Sequence, residues 1–189
     1  MCLCLFEHGR ERQVPMHRQD DGWWLAELPE DLTGAHYGYR ASGEWAPEKG
    51  LWFDHAKLLV DPYAVELDRR FTQHPSLAVH GADTAGLVPR AIVPGKLAAV
   101  RKRKPCFTPA GLVYELGVRS FTMRHPQVPP HLRGTVAALA HPAVIAHLKA
   151  LHVSAVELMP IVAWIDERHL PPLGLTNGWG YNPVAPMAL

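Results

Sequence analysis

The chain has 189 residues, 48% of them hydrophobic and 20% charged, enough apolar material to build a packed core. Nineteen Lys and Arg stand against 18 Asp and Glu, and a net charge of +1 gives no electrostatic reason to expect a nucleic acid or an anionic membrane as partner. At ~150 residues per domain the length admits one large domain or two small ones, and it excludes a complete (β/α)8 barrel of about 250 residues.

No apolar run approaches the ~18 residues of a membrane span, and the uncharged tail 170–189 is broken by Pro171, Pro172, Gly174, Gly178, Gly180, Pro183 and Pro186. The N-terminus lacks the basic leader of a signal peptide, so a cytoplasmic protein is expected. Cys2, Cys4 and Cys106 are odd in number and lack C-x-x-C spacing, the pattern of reduced thiols.

Residues 1–60 carry short strand-like runs at 2–6, 13–17, 23–28 and 36–41, punctuated by His8-Gly9-Arg10, Asp20-Asp21-Gly22 and Gly34. Such spacing predicts an antiparallel sandwich. The first strand begins almost at once, and three to five strands are too few to close two sheets, so further strands are expected upstream. Adjacent Trp23 and Trp24 face opposite ways on a strand, which predicts one buried ring and one partly shielded ring.

Residues 61–110 read as a connector, with a short helix expected over 64–71, then Pro75, Gly81, Gly86, Pro89, Pro94 and Gly95. It ends in Arg101-Lys102-Arg103-Lys104-Pro105, a solvated linker in a chain otherwise balanced in charge. Residues 111–189 change character. A buried strand is expected over 112–118, a helix over 142–151 with Pro142 in its first turn, and a second strand over 155–159 stopped by Pro160. Val144, Ile145, Leu148 and Leu151 fall on one face of that helix. Strand, helix, strand is one βαβ unit, parallel and right-handed, the beginning of a larger α/β fold.

Tyr37-Gly38-Tyr39-Arg40, Trp45-Ala46-Pro47-Glu48-Lys49-Gly50 and Ala56-Lys57-Leu58-Leu59-Val60-Asp61-Pro62-Tyr63-Ala64 resemble the N-terminal region of bacterial glycogen debranching enzymes and isoamylases, in glycoside hydrolase family 13. Residues 113–122 resemble the family's first barrel strand, Arg133-Gly134-Thr135 the segment before the first helix, 151–160 the second strand, and 174–183 the loop after it. The matches are collinear. The chain departs from the family at Gly117, where His is usual, at Asp54-His55 in place of Asn-Pro, and at Gly178-Trp179-Gly180-Tyr181 in place of Tyr-Trp-Gly-Tyr.

The resemblance implies a mixed fold: an incomplete immunoglobulin-like β-sandwich, a carbohydrate-binding module of the family 48 type, followed by the first βαβ part of a (β/α)8 TIM barrel. The implied domains are 1–60, a connector at 61–110, and the barrel start at 111–189. The implied function is part of a hydrolase cleaving α-1,6-glucosidic branch links in glycogen or limit dextrin, with a stand-alone, non-catalytic carbohydrate-binding protein as the alternative. Glycogen or another branched α-glucan is the expected partner.

A retaining glycosidase needs two carboxyl groups about 5–5.5 Å apart. Glu115 and Glu157 are the tempting pair, yet both fall before the C-terminal strand ends where barrel chemistry sits. The family's catalytic carboxylates come from later strands, so none is expected before Leu189. The resemblance makes Tyr181 the expected sugar contact, stacking a ring face on glucose, with Trp179 and Asn182 on the same loop as substrate-binding candidates. Trp45 and Trp52 are expected to fasten the module to the barrel, and Asp166-Glu167 to solvate a loop. His141, His147 and His152 do not stack on one helix face, and no H-E-x-x-H or nucleotide-binding glycine motif occurs, so neither metal nor cofactor is expected.

Overall fold

The computed structural model describes residues 1–96, 99, 104, 107 and 109–189; Cys106 and the basic run 101–105, apart from Lys104, lie outside them. It divides into two compact units, Met1–Leu97 together with Val162–Leu189, and Ala98–Ile161. The last 28 residues thus group with the N-terminal sheet, whereas the sequence division put them with 111–189.

β1 (Cys2–Glu7) reverses through His8 and Gly9 into β2 (Arg10–Pro15), with Cys2 opposite Pro15 and Glu7 opposite Arg10. Both turn residues have positive φ, 49° and 79°, the twist a two-residue hairpin requires. β3 (His17–Arg18) and β4 (Trp24–Leu25) make a separate short hairpin. β5 (His36–Arg40) pairs antiparallel with the other side of β1, setting Leu5 opposite Tyr37 and Cys4 opposite Gly38. β6 (Trp45–Ala46) and β7 (Leu51–Trp52) form a third hairpin around a 3-10 turn at Pro47–Lys49. β8 (Ala91–Ile92) completes a four-stranded sheet in the order β2-β1-β5-β8.

The sheet therefore draws a strand from beyond residue 60. Its β1 is buried on both faces: Cys4 and Phe6 pack with Leu58 and Val88, while Leu5, on the alternate face, is also fully buried. A second cluster joins Ala64, Ala91, Ala185 and Ala188, with Tyr37 and Leu67 against it.

The helix expected over 64–71 is absent. The backbone there pairs with the sheet instead, Ile92 N–H donating to the Glu66 carbonyl and Asp68 N–H to that of Arg90, with Leu67 bridged to Ala91. Local helix propensity loses to these long-range bonds and to the packing of the partly buried Leu67 against the alanine cluster. The Trp23 and Trp24 expectation also fails, because the β3–β4 hairpin is not hydrogen-bonded to the main sheet and both rings are exposed. Trp45 and Trp52 meet each other edge to face at 5.5 Å between centroids, and Trp45 stacks on His80 at 3.9 Å. All three residues belong to the N-terminal sheet's own unit.

In the other unit, β9 (Leu112–Leu116) leads through Gly117 into α1 (Val118–Thr122), two residues earlier than the strand expected to 118. α2 (Pro142–Ala150) has Pro142 in its first turn and His141 as cap, Nδ1 accepting the Ala143 N–H. It ends as His152 turns to a φ of 56°. β10 (Val153–Leu158) lies parallel to β9, Glu157 beside Glu115 and Leu158 beside Leu116, as a strand-helix-strand pattern requires. Val128, Ala138 and Val144 form the core with Phe121, Leu132, Leu139 and Leu148 around them. The apolar face of α2 is narrower than expected, since Ile145 and Leu151 are exposed.

The chain then returns to the first unit as β11 (Ala163–Trp164) and β12 (Pro183–Ala185), an antiparallel pair that brackets the loop 165–182.

Candidate functional site

The three candidate residues share the β11–β12 loop. Ile165 N–H donates to the Asn182 carbonyl at 3.1 Å, closing the loop's base just outside the strand pair. Asn177 sets the tip: its Oδ1 accepts from Trp179 N–H at 2.9 Å and Gly180 N–H at 2.8 Å, and its Nδ2 donates to Glu167 Oε1 at 3.0 Å. This is the local side-chain turn that Asn favours. Gly180, at a φ of 79°, completes the reversal without the clash a Cβ would bring. Trp179 and Tyr181 flank it with 70% and 61% of their surface exposed, rings of a size usually buried.

Asp166, expected to solvate the loop, is instead buried and organises it. Its Oδ1 accepts the Asn177 N–H at 2.7 Å, and Arg70 Nη2 lies 3.2 and 3.1 Å from its two oxygens. Gln73 Nε2 donates to its carbonyl at 2.7 Å, and the Arg70 guanidinium sits 5.5 Å from the Trp164 ring centroid. A carboxylate held out of water needs this many donors. Arg70, Asp166 and Asn177 are the residues that sequence reasoning missed. The usable signal was Asn177-Gly178, a turn dipeptide placed ahead of the two aromatics.

The N-terminal sheet's unit holds a second polar network. Arg40 is buried and donates through Nε and Nη2 to both oxygens of Glu11, through Nη1 to the carbonyls of His55 and Ala56, and through Nη2 to Asp83. The Arg40 hydrogen bonds hold Glu11 far below the usual carboxylate range, at about 2. Burial, with Glu11 beside it, pushes the Cys4 thiol up to about 12, an inert structural sulfur. Tyr37 donates its hydroxyl to Asp61 at 2.6 Å, and Asp61 also accepts the Tyr63 N–H, which explains the Asp61-Pro62-Tyr63 string as a turn tied back to β5. Burial and then this bond raise the Tyr37 phenol well above its ordinary value.

Glu115 and Glu157 are neighbours in register, exposed and inside their strands. Among the described residues no three His, Cys, Asp or Glu side chains gather to hold a metal ion, and no helix is long and apolar enough to cross a membrane.

Residues 2–64 match carbohydrate-binding module 48, the isoamylase N-terminal domain. That module type agrees with the antiparallel sheet of β1, β2 and β5 and with the hairpins around it. Across 99% of its length the chain is 43% identical to a glycogen debranching enzyme of Yersinia pseudotuberculosis, and 40% identical to one of Yersinia enterocolitica. It spans about 30% of the length of each. A pullulanase from an Anoxybacillus species, solved with maltotetraose, shares the fold over 99% of this chain and 26% of its own, with a TM-score of 0.65 and 20% identity. A Bacillus subtilis type I pullulanase solved with maltose gives 0.62 and 19%, over 99% of this chain and 24% of its own. The similarity to glycogen debranching enzymes therefore runs along nearly the whole chain.

Proposed function

We propose that this chain is the glucan-engaging N-terminal part of a debranching hydrolase that cleaves α-1,6 branch links in glycogen or limit dextrin. The observation that carries the reading is the collinear 43% identity to a glycogen debranching enzyme over nearly the entire chain. In this reading β9, α2 and β10 are the opening βαβ of a (β/α)8 barrel, and the β11–β12 loop lies beside the substrate. Tyr181 offers a ring face to the apolar side of a glucose residue while Trp179 and Asn182 border the same sugar. The exposure of both rings on a hydrogen-bonded loop supports that role. The acid chemistry is assigned to the remainder of such a hydrolase, since the chain spans about 30% of the length of the debranching enzymes it resembles, and Glu115 and Glu157, each the last residue but one of its strand, carry no catalytic role in this reading.

Affinity electrophoresis of the chain through glycogen-containing gels tests the binding part. Retardation that soluble maltotetraose relieves is expected, and unaltered mobility would overturn it. Incubation with limit dextrin tests the rest. No new reducing ends are expected from this chain alone, and their appearance would return the chemistry to residues within it.

A further inference from the structure

Arg70 and Gln73 hold Asp166 from one side while Asn177 takes it from the other. Arg70 and Gln73 lie in the stretch after the Asp61-Pro62-Tyr63-Ala64 string, about a hundred residues from the loop in sequence; the separation of Arg70 from Asp166 is 96. We propose that Asp166 is a positioning residue for glucan binding, locking the backbone of Asn177 to Tyr181 onto Arg70 so that Trp179 and Tyr181 stand in one arrangement before a sugar arrives. The proposal rests on the reading of this loop as the α-glucan contact.

Three observations converge on it. Asn177 by itself makes only a local turn, with Trp179 and Gly180 as donors, and such a turn fixes the tip's shape but not its place. Asp166 adds the place, because the same Oδ1 that receives the Asn177 N–H also faces Nη2 of Arg70, a residue from outside the loop. Finally, Asp166 is buried while the two rings are exposed, so its influence on a ligand passes through the backbone between them. An aromatic contact on a prefixed backbone loses less freedom on binding than one on a wandering loop, and affinity rises by that difference. A carboxylate buried at the root of an exposed loop is otherwise a costly choice.

The test uses the full chain with Asp166→Asn, Arg70→Met, Arg70→Lys and the Asp166→Asn/Arg70→Met pair. Maltotetraose affinity is read by calorimetry, and hydrogen exchange is followed at amides 177–181 and, as a fold control, at 4–6. Asp166→Asn and Arg70→Met should each weaken binding by about tenfold and speed exchange at 177–181 while leaving 4–6 protected. The pair should bind no worse than the weaker single variant, and Arg70→Lys should recover most of the affinity. Unchanged affinity and protection in Asp166→Asn would overturn the proposal, as would a loss of protection that spreads to 4–6. If the unaltered chain binds no maltotetraose, the glucan reading itself falls first, and the positioning role with it.

Discussion

The Arg40 guanidinium meets the Glu11 carboxylate fork to fork, Nε to Oε1 and Nη2 to Oε2, each at 2.7 Å. The pair joins β5 to β2 across the intervening β1, so it ties three strands of the sheet with one side-chain contact.

Glu11→Gln should therefore destabilise the chain by about 2 kcal/mol, less than the roughly 3–5 kcal/mol of a wholly buried pair, because Arg40 keeps Asp83 and two carbonyls. Glu11 sits at about 2 in the folded chain against an ordinary 4.5, so its stabilisation is complete above about pH 4.5 and drains away as the pH falls toward 2. Urea unfolding from pH 7 down to pH 2.5 measures this. The stability gap between the two proteins should shrink below pH 4.5, and a gap constant across the range would contradict it.

Gly38 faces Cys4 across β1 and β5, and a Cβ built there would lie 2.9 Å from Leu58 Cδ1 and 3.0 Å from the Leu59 carbonyl oxygen. Gly38→Ala should cost about 1–3 kcal/mol, since the backbone oxygen cannot retreat while Leu59 stays paired to Tyr39. Thermal unfolding followed by far-UV circular dichroism provides the check. An unchanged midpoint would mean the 58–60 segment gives way freely.

Lys57 Nζ donates to the carbonyls of Ser76, Val79 and Ala82, gathering the 75–82 turn around one ammonium group. Lys57→Met keeps the stem but leaves these acceptors to water, and should cost about 1–2 kcal/mol. Hydrogen exchange should accelerate within 75–84 well before it does in β1. Equal acceleration in both would show that the turn has no separate stability.

On the proposed glucan loop, Tyr181→Ala should lower maltotetraose affinity by about tenfold while leaving the thermal midpoint within a degree or so, because the ring is mostly exposed. Tyr181→Phe should retain most of the affinity if stacking dominates. Affinity lost equally in both variants would assign the contact to the hydroxyl instead.

By itself the sequence determined the alternation of Cys2 to Glu7, the turn at His8-Gly9, the Pro142 helix and the parallel pairing of two strands, because each follows from local periodicity and turn chemistry. It also carried the family resemblance and placed Tyr181 and Trp179 on one loop. It misjudged what depends on distant partners. Residues 64–71 have helical composition but spend their backbone bonds on residues 90–92, and Trp23 and Trp24 are exposed because their hairpin stands apart from the main sheet. Asp166 reads as one more acidic loop residue until Arg70, 96 positions away, is brought against it. Local signals decide which elements form. Only the tertiary structure decides which charges are buried together, since a carboxylate's burial is settled by donors that chain spacing does not reveal.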